Sequence, residues 1–255
     1  MALHQMIDVP MLTTLHNELS NEMRFVWSNY TGWYNAISQA QCCTLPRLPR
    51  GQFAGVVYNA IDVASFPFQP EKEDYVLFIG RITRDKAPHL AIEAARRAGV
   101  RIVIAGKIAL PDEQEYFEAV IRPLVDGRNV EFAGEADAKL KRRLYAGARA
   151  LLLPLQWDEP FGLVIVEAMA CGTPAVVFPR GAASEIVADG ETGFLVHDVE
   201  GMAQAVAERV ERIDPWACRA YVESRFAPSA LADGYLSLYE KILGVREEIH
   251  DRVHA

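Results

Sequence analysis

Short β-branched runs and longer amphipathic stretches alternate along the chain from Asp74 onward. The hydrophobic runs predict strands over 75–80, 101–106, 130–134, 150–154, 175–179 and 193–196. Apolar residues at helical spacing predict helices over 88–98, 112–125, 136–146 and 163–171, with a helical end after the last strand. Strands that alternate with helices indicate a mostly parallel sheet covered on both faces. We therefore expect an α/β fold with a doubly wound, Rossmann-like parallel sheet.

The first part of the chain does not repeat this pattern in full. Its predicted elements are a strand and loop over 10–17, a strand leading into a helix over 35–41, and a strand and turn over 55–62. A typical domain has ~100–150 residues, so this part is too short for a complete second domain. We expect an incomplete second Rossmann-like domain over 1–66, a proline-containing linker over 67–74, and the complete domain with its C-terminal helices over 75–255.

Two carboxylates flank the start of one predicted helix. Glu159 precedes Pro160 and Gly162, which resist helix formation, and Glu167 lies about one turn inside the helix predicted over 163–171. The amides at this helix start favour an anion such as phosphate. A glutamate ~6 Å from that anion would repel it by about 3 kcal/mol at an effective dielectric constant of about 20. We therefore expect both carboxylates to face hydroxyl groups, and the cations that bind the anion to come from elsewhere.

Composition and charge exclude several classes of protein. With 51% hydrophobic residues the chain can bury a substantial core, but its longest apolar runs, 150–155 and 168–179, fall well short of the ~20 residues of a membrane-spanning helix. A net charge of −8 argues against general nucleic-acid binding. The basic run 139–143 has apolar residues at helical spacing beside it, so we interpret it as the solvated face of an amphipathic helix.

Cysteine usage and the N-terminus indicate the cytoplasm. The four cysteines include no C-x-x-C pair, which argues against a disulfide framework or a zinc site. We interpret the adjacent Cys42 and Cys43 as small semi-buried side chains, with a redox pair as the alternative. Residues 1–10 contain Asp8 but no Lys or Arg, so they lack the charged start and apolar centre of a secretory signal. We expect a cytoplasmic protein, either free or peripheral at the inner face of the membrane.

The segment from Asp158 to Val177 resembles the E-x7-E signature of the retaining GT-B glycosyltransferases of family 4, which use nucleotide-sugar donors. Phe161 and Gly162 follow the first acid, and the second begins the sequence EAMACGTP. The resemblance starts near the end of the family's first domain, so it implies a complete C-terminal domain and a truncated N-terminal domain. The chain is then a fragment, a chain with a wrongly assigned start, or a short relative.

A second sequence motif of the family is found at residues 80–86, where GRITRDK is similar to the family's G-R-x4-K. The resemblance implies that Arg81 and Lys86 bind the donor diphosphate. Their chemistry suits this role, because arginine offers a planar fork to phosphate oxygens and lysine a mobile point charge. These cations would replace a metal ion, and the chain has no Asp-x-Asp sequence of the metal-dependent GT-A type. We expect no metal ion and no cofactor, with the nucleoside diphosphate sugar as a substrate.

The resemblance also implies roles for the remaining donor-binding residues. Glu167 would accept hydrogen bonds from the donor ribose hydroxyls, and Glu159 from hydroxyls of the transferred sugar. Backbone groups of Phe161, Gly162 and Leu163 would hold phosphate and sugar.

His16 is the catalytic candidate on the acceptor side. It lies in the sequence TTLHN at 13–17, which resembles the end of a strand in the family's first domain, where a histidine faces the reacting sugar. The alternative is that His16 is structural. The predicted catalytic residues are thus His16, Glu159, Arg81 and Lys86.

Together these features predict a metal-independent, retaining transfer of a hexose from a nucleoside diphosphate sugar to a hydroxyl of a sugar, a lipid-linked sugar or a small molecule. The acceptor would attack from the face of the leaving group, and preorganised positive charge would stabilise the departing diphosphate. The alternative is a truncated nucleotide-sugar-binding domain without transferase activity. A nucleotide-sugar epimerase of the same fold fits less well, because E-x7-E and G-R-x4-K occur together.

Overall fold

The computed structural model describes residues 9–17, 25, 27–45, 48 and 51–254, with side chains described up to residue 244. These residues form two compact units. The first comprises the described parts of Met1–Ala60 and Pro228–Ala255, and the second comprises Ile61–Ala227. No helix among the described residues is both long and apolar enough to span a membrane.

The first unit contains a parallel sheet, which has three strands in the described residues. Its elements are β1 (Leu12–Leu15), β2 (Trp33–Ala36), α1 (Gln39–Thr44) and β3 (Gln52–Val56), and the strands pair in the order β1-β2-β3. The strand predicted within 55–62 therefore begins earlier than expected. Gln52 and Phe53 at its start are both exposed. The alternation of buried and exposed residues that predicts a strand is therefore missing at these two positions.

The second unit alternates strands and helices along its whole length. Its strands are β4 (Val76–Ile79), β5 (Ile102–Ala105), β6 (Val130–Gly134), β7 (Leu151–Leu153), β8 (Ala175–Val177) and β9 (Gly193–Leu195). Its helices are α2 (Pro88–Ala98), α3 (Pro111–Tyr116), α4 (Ala138–Gly147), α5 (Leu163–Ala170), α6 (Ala183–Ile186), α7 (Val199–Gln204) and α8 (Pro215–Arg225). The strands predicted from the hydrophobic runs are confirmed to within a few residues.

The six strands of this unit are parallel and pair in the order β6-β5-β4-β7-β8-β9. Counted along the unit, this is the order 3-2-1-4-5-6 of doubly wound nucleotide-binding folds. The order reverses between β4 and β7, and ligands of such sheets bind at that switch point, outside the carboxyl ends of the strands. The expected α/β class, with a doubly wound sheet and a smaller second parallel sheet, is confirmed.

Both faces of the larger sheet are covered. Val76, Leu77 and Phe78 of β4 have 0% of their surface exposed, and β5 and β7 are buried along their whole length. Helix α2 packs against α7, and α5 packs against α8. Continuous apolar strands are typical of a parallel sheet that is buried on both sides.

One predicted helix is interrupted. The pattern predicts a helix over 112–125, but α3 ends at Tyr116 and is followed by a π-helical turn at Phe117–Ile121 and a 3-10 turn at Arg122–Leu124. Pro123 has no amide hydrogen, and its ring clashes with the preceding turn of a regular helix. The regular helix therefore ends before this proline.

The C-terminal helix α9 (Pro228–His254) belongs to the first unit. Its Leu238 and Ile242 pack with Ala54 of β3. The domain expected over 75–255 includes this segment. An amphipathic pattern predicts a helix but does not identify the apolar surface that the helix covers, which accounts for the difference.

The predicted linker 67–74 lies within the second unit. The Glu73 amide donates to Gly147 O at 2.8 Å, and the ring centroid of Phe68 lies 4.1 Å from that of Trp216. The proline and charge content of this segment predicted an extended connection. Its backbone hydrogen bond and its aromatic contact instead attach it to the second unit.

Candidate functional site

Two loops meet at the switch point between β4 and β7. The loop after β4 contains Arg81 and Lys86, and the loop after β7 contains Glu159. The Gln156 amide donates to Asp85 O at 2.8 Å, which joins the two loops directly. The structure thus brings three of the predicted site residues to one carboxyl edge of the sheet, where folds of this type bind ligands.

Lys86 and Glu159 form an ion pair at this edge. Their side chains are 15% and 16% exposed, so both charges are largely removed from water. Lys86 Nζ also lies over the ring of Trp157, 4.3 Å from its centroid, and the face of an indole ring attracts a cation. A carboxylate and an aromatic ring therefore fix the position of the Lys86 ammonium group.

Arg81 pairs with Glu113, a carboxylate that is not among the predicted site residues. Arg81 Nη1 lies 3.2 Å from Glu113 Oε1, and their side chains are 53% and 2% exposed. Glu113 Oε2 accepts hydrogen bonds from the amides of Ala109 at 2.7 Å and Leu110 at 3.2 Å. The Ala109 bond, with contributions from Leu110 and Arg81, holds the pKa of Glu113 below its ordinary value against the effect of burial. An ionised Glu113 therefore anchors Arg81 while about half of the arginine side chain stays exposed.

Helix α5 begins and ends close to the predicted positions. Gly162 precedes it with φ +93°, and Gly172 follows it with φ +77°, values in the left-handed region that favours glycine. The amides of Gly162, Leu163 and Val164 have no acceptor among the described residues, so they can donate to an anion. The ring of Phe161 is buried, so a ligand could contact this residue only through its backbone.

Two side chains of α4 hold Glu167. Lys141 Nζ lies 2.8 Å from both carboxylate oxygens, and Tyr145 Oη donates to Oε2 at 2.8 Å. The Glu167 side chain is 11% exposed. Burial and then the Glu167 carboxylate raise the pKa of Tyr145 well above its ordinary value, so its hydroxyl stays protonated and donates. The interpretation of 139–143 as a solvated face is therefore wrong for Lys141. Residues four apart share one helix face, which directs Lys141 and Tyr145 to the same carboxylate.

Two buried polar atoms in the switch-point loops lack a hydrogen-bond partner. They are Thr83 Oγ1, after β4, and Trp157 Nε1, after β7; among the described residues the one further atom of this kind is Trp27 Nε1 in the first unit. Buried polar groups in proteins are nearly always hydrogen-bonded. Thr83 and Trp157 therefore leave two unsatisfied polar groups in the loops that carry Lys86 and Glu159.

His16 belongs to the first unit, whereas the other predicted site residues belong to the second. It directly follows β1, as expected, and its side chain is exposed. Its catalytic role stays a prediction. Elsewhere in the described part of the chain, no group of three or more His, Cys, Asp or Glu side chains could hold a metal ion, and the metal independence of the reaction also stays a prediction.

The fold corresponds to that of GT-B glycosyltransferases. Residues 63–213 match the family described as Glycosyl transferases group 1. The chain belongs to this family.

Several curated relatives resemble the chain over most of its length. It is 36% identical over 178 residues to the D-inositol 3-phosphate glycosyltransferase of Mycobacteroides abscessus, and the aligned region covers 67% of this chain and 40% of the relative. It is 32% identical over 219 residues to the alpha-maltose-1-phosphate synthase of Mycolicibacterium smegmatis, and the aligned region covers 73% of this chain and 56% of the relative. The chain thus spans less than two thirds of the length of these relatives.

Solved structures show the same fold at lower sequence identity. Anabaena HepE in complex with UDP and glucose superposes with a TM-score of 0.75 at 24% identity, over 91% of this chain and 71% of that chain. The sucrose-phosphate synthase of Thermosynechococcus elongatus superposes with a TM-score of 0.78 at 23% identity, over 96% of this chain and 70% of that chain.

Proposed function

We propose that this chain binds a nucleoside diphosphate sugar at the switch point of its second unit and takes part in transferring the hexose to a hydroxyl group. The observation that carries the proposal is the convergence of Arg81, Lys86 and Glu159 on one edge of the sheet. Membership of the group 1 family supports it, as do the complexes of Anabaena HepE with UDP and with UDP-glucose.

The donor diphosphate is the proposed ligand of the two cations. Arginine has five N–H donors and lysine has three. Arg81 uses one of them on Glu113, and Lys86 uses one on Glu159. Each can therefore donate to a phosphate oxygen without releasing its carboxylate, and the amides of 162–164 add further donors at the start of α5.

The two glutamates of the E-x7-E sequence are the proposed acceptors for sugar hydroxyls. An ionised carboxylate has about four lone-pair positions. Glu167 uses two of them on Lys141 and Tyr145, and Glu159 uses one on Lys86. The remaining positions accept hydroxyls of the ribose at Glu167 and of the transferred hexose at Glu159.

The proposed reaction is retaining and metal-independent. The acceptor oxygen bonds to the anomeric carbon on the face from which the diphosphate leaves, and a phosphate oxygen of the leaving group takes the hydroxyl proton. Arg81 and Lys86 stabilise the negative charge that develops on that diphosphate. His16 polarises or hydrogen-bonds near the anomeric centre from the acceptor side, and the acceptor is a sugar, a lipid-linked sugar or a small molecule.

A second candidate function is nucleotide-sugar binding without transfer. The observation that favours it is the size of the first unit, whose described residues form a sheet of three strands against six in the second. Both candidate functions use the same donor site, and for both we propose a cytoplasmic protein, free or peripheral at the inner face of the membrane.

Calorimetric titration tests the donor site. UDP, GDP and ADP and their glucose derivatives are titrated, with EDTA present, into the wild-type chain and into an Arg81→Ala/Glu167→Ala variant. The matched control, Arg101→Ala/Glu131→Ala, removes one arginine and one glutamate from an exposed pair near the amino ends of β5 and β6.

Loss of binding in the first variant and retention in the control would support the donor site and identify the base. If the folded wild-type chain binds none of the six ligands, the donor-site proposal fails. Incubation of the bound donor with a panel of hydroxyl acceptors then separates the two candidate functions. A product with the anomeric configuration of the donor indicates retaining transfer, and the absence of any product favours binding alone.

A further inference from the structure

A cavity opens at the carboxyl edge of the larger sheet, beside the loop that carries Glu159. It has a volume of about 320 Å³. The residues that line it follow β7, β8 and β9, and they are Gln156, Phe178, Pro179, Arg180 and His197. None of them belongs to the GRITRDK sequence or to the E-x7-E sequence. The cavity is therefore distinct in its residues from the proposed donor site.

The lining of this cavity carries positive charge and no carboxylate. Arg180 and His197 are both exposed, and within the described part of the chain neither forms an ion pair. The Asp198 carboxylate, next to His197 in sequence, is not among the lining residues, and its Oδ1 accepts the Gly201 amide at 2.7 Å and caps α7. In a chain of net charge −8, the arginine gives this cavity a local positive charge.

The loop that carries Arg180 packs tightly on the loop that carries Glu159. The Ala182 amide donates to Glu159 O at 2.8 Å. Gly181 has φ +58°, and a Cβ atom placed on it would lie 2.4 Å from both N and O of Glu159. The backbone of Arg180 is therefore held at a fixed position beside the Glu159 loop.

We propose that this cavity is a subsite for an anionic sugar derivative, whose phosphate or carboxylate group binds to the Arg180 guanidinium and to a ring N–H of His197. The arginine fork matches both anions, and an imidazole has an N–H donor in either protonation state. Gln156 and Phe178 contact the rest of the ligand. The volume lies at the lower end for small-molecule pockets, which fits a single substituted sugar. This subsite adds a second ligand and does not depend on donor binding.

Titrations followed by amide NMR test the subsite in the full chain. The probes are glucose 6-phosphate, glucuronate, inorganic phosphate and neutral glucose. The variants are Arg180→Gln and His197→Ala, and the control is Arg128→Gln, which alters an exposed arginine in the turn before β6 at the opposite edge of the sheet. UDP is titrated into each variant as a separate measurement.

We expect glucose 6-phosphate or glucuronate to bind, with a dissociation constant about tenfold or more higher in Arg180→Gln, because a charge-assisted hydrogen bond is lost. Arg128→Gln should bind like the wild type, and glucose should bind much more weakly. Preference for the phosphate or for the uronate identifies the anion. If inorganic phosphate binds as well as glucose 6-phosphate, the sugar part of the proposal is refuted.

The proposal is overturned if neither anionic sugar binds, or if Arg180→Gln and Arg128→Gln weaken binding equally. UDP affinity should be the same in all variants. A chain that binds anionic sugars but not UDP keeps the subsite and loses the proposed donor site, so the two proposals fail independently.

Discussion

Replacement of Gly181 by alanine tests how the Glu159 loop is supported. A Cβ atom at this position would lie 2.4 Å from Glu159 N and O and 2.7 Å from Asp158 C. All three are backbone atoms, so a flexible side chain cannot relieve the clash. Such overpacking costs about 1–3 kcal/mol, and an alanine in the left-handed region costs about 1–2 kcal/mol more. We expect Gly181→Ala to lower the free energy of unfolding by about 2–5 kcal/mol.

Gly127→Ala separates the two effects. Gly127 has φ +72°, but an added Cβ atom there meets nothing within 4 Å. In this variant the free energy of unfolding should therefore fall only by the backbone strain, about 1–2 kcal/mol. The substitution of glycine by alanine changes the entropy of the unfolded chain equally in both variants. Equilibrium urea unfolding followed by circular dichroism measures the difference, and titration with UDP-glucose measures the site. Gly181→Ala should also weaken UDP-glucose binding. Equal losses of stability in the two variants would refute the close approach of Gly181 to Glu159.

Three further substitutions probe the charges of the second unit. Lys86→Met leaves the mostly buried Glu159 carboxylate without its cation, and a double-mutant cycle with Glu159→Gln, measured by urea unfolding, should give a coupling energy of about 1–3 kcal/mol. Tyr145→Phe removes a hydrogen bond to ionised Glu167, so it should cost about 1.5–3 kcal/mol of stability and weaken UDP binding in calorimetry. Burial lowers the pKa of Lys72 from 10.5 to about 8. Between these pH values Lys72 is protonated in the unfolded chain and neutral in the folded chain. The free energy of unfolding of the wild type, measured relative to that of Lys72→Met by urea unfolding, should therefore rise by about 1.4 kcal/mol per pH unit.

Each substitution has a control or a contrary outcome. The exposed Glu93–Arg97 pair should show a coupling below about 0.5 kcal/mol, and a coupling as small as this between Lys86 and Glu159 would contradict the first expectation. Tyr75→Phe loses a buried bond to Leu144 O at 2.9 Å and should leave UDP binding intact. For Lys72, a stability difference that stays constant from pH 8 to 10.5 would show that its pKa is not lowered.

The sheet of the second unit could be predicted because its strands are short, buried and separated by helix signals. The helix predicted over 88–98 coincides with Pro88–Ala98, since Pro88 suits the first helical turn and Gly99 takes the left-handed conformation at its end. The segment from Pro228 onward was predicted as helical, but its attachment to the first unit was not. That attachment depends on which apolar surface Leu238 and Ile242 meet, and helical spacing carries no information on this.

The candidate site was only partly predictable for a similar reason. Arg81 and Glu159 lie in short sequence motifs, which can be recognised from residue types and spacing alone. Glu113 and Tyr145 contact site residues from the helices α3 and α4, so nothing next to them in sequence indicates the contact. Trp157 lies two residues before Glu159 in sequence, but the buried and unpartnered state of its indole N–H is a property of the folded packing.

The two units differ in how they are assembled from the chain, and this affects the order in which they can form. The second unit is one continuous stretch, Ile61–Ala227, whereas the first combines residues before it with the helix Pro228–His254 after it. During synthesis the larger sheet can complete its strand pairing as soon as it emerges, since domains fold as units and from the N-terminal side. The apolar surface around Ala54 must wait for Leu238 and Ile242. Until then that surface is open to chaperones and to other nascent chains.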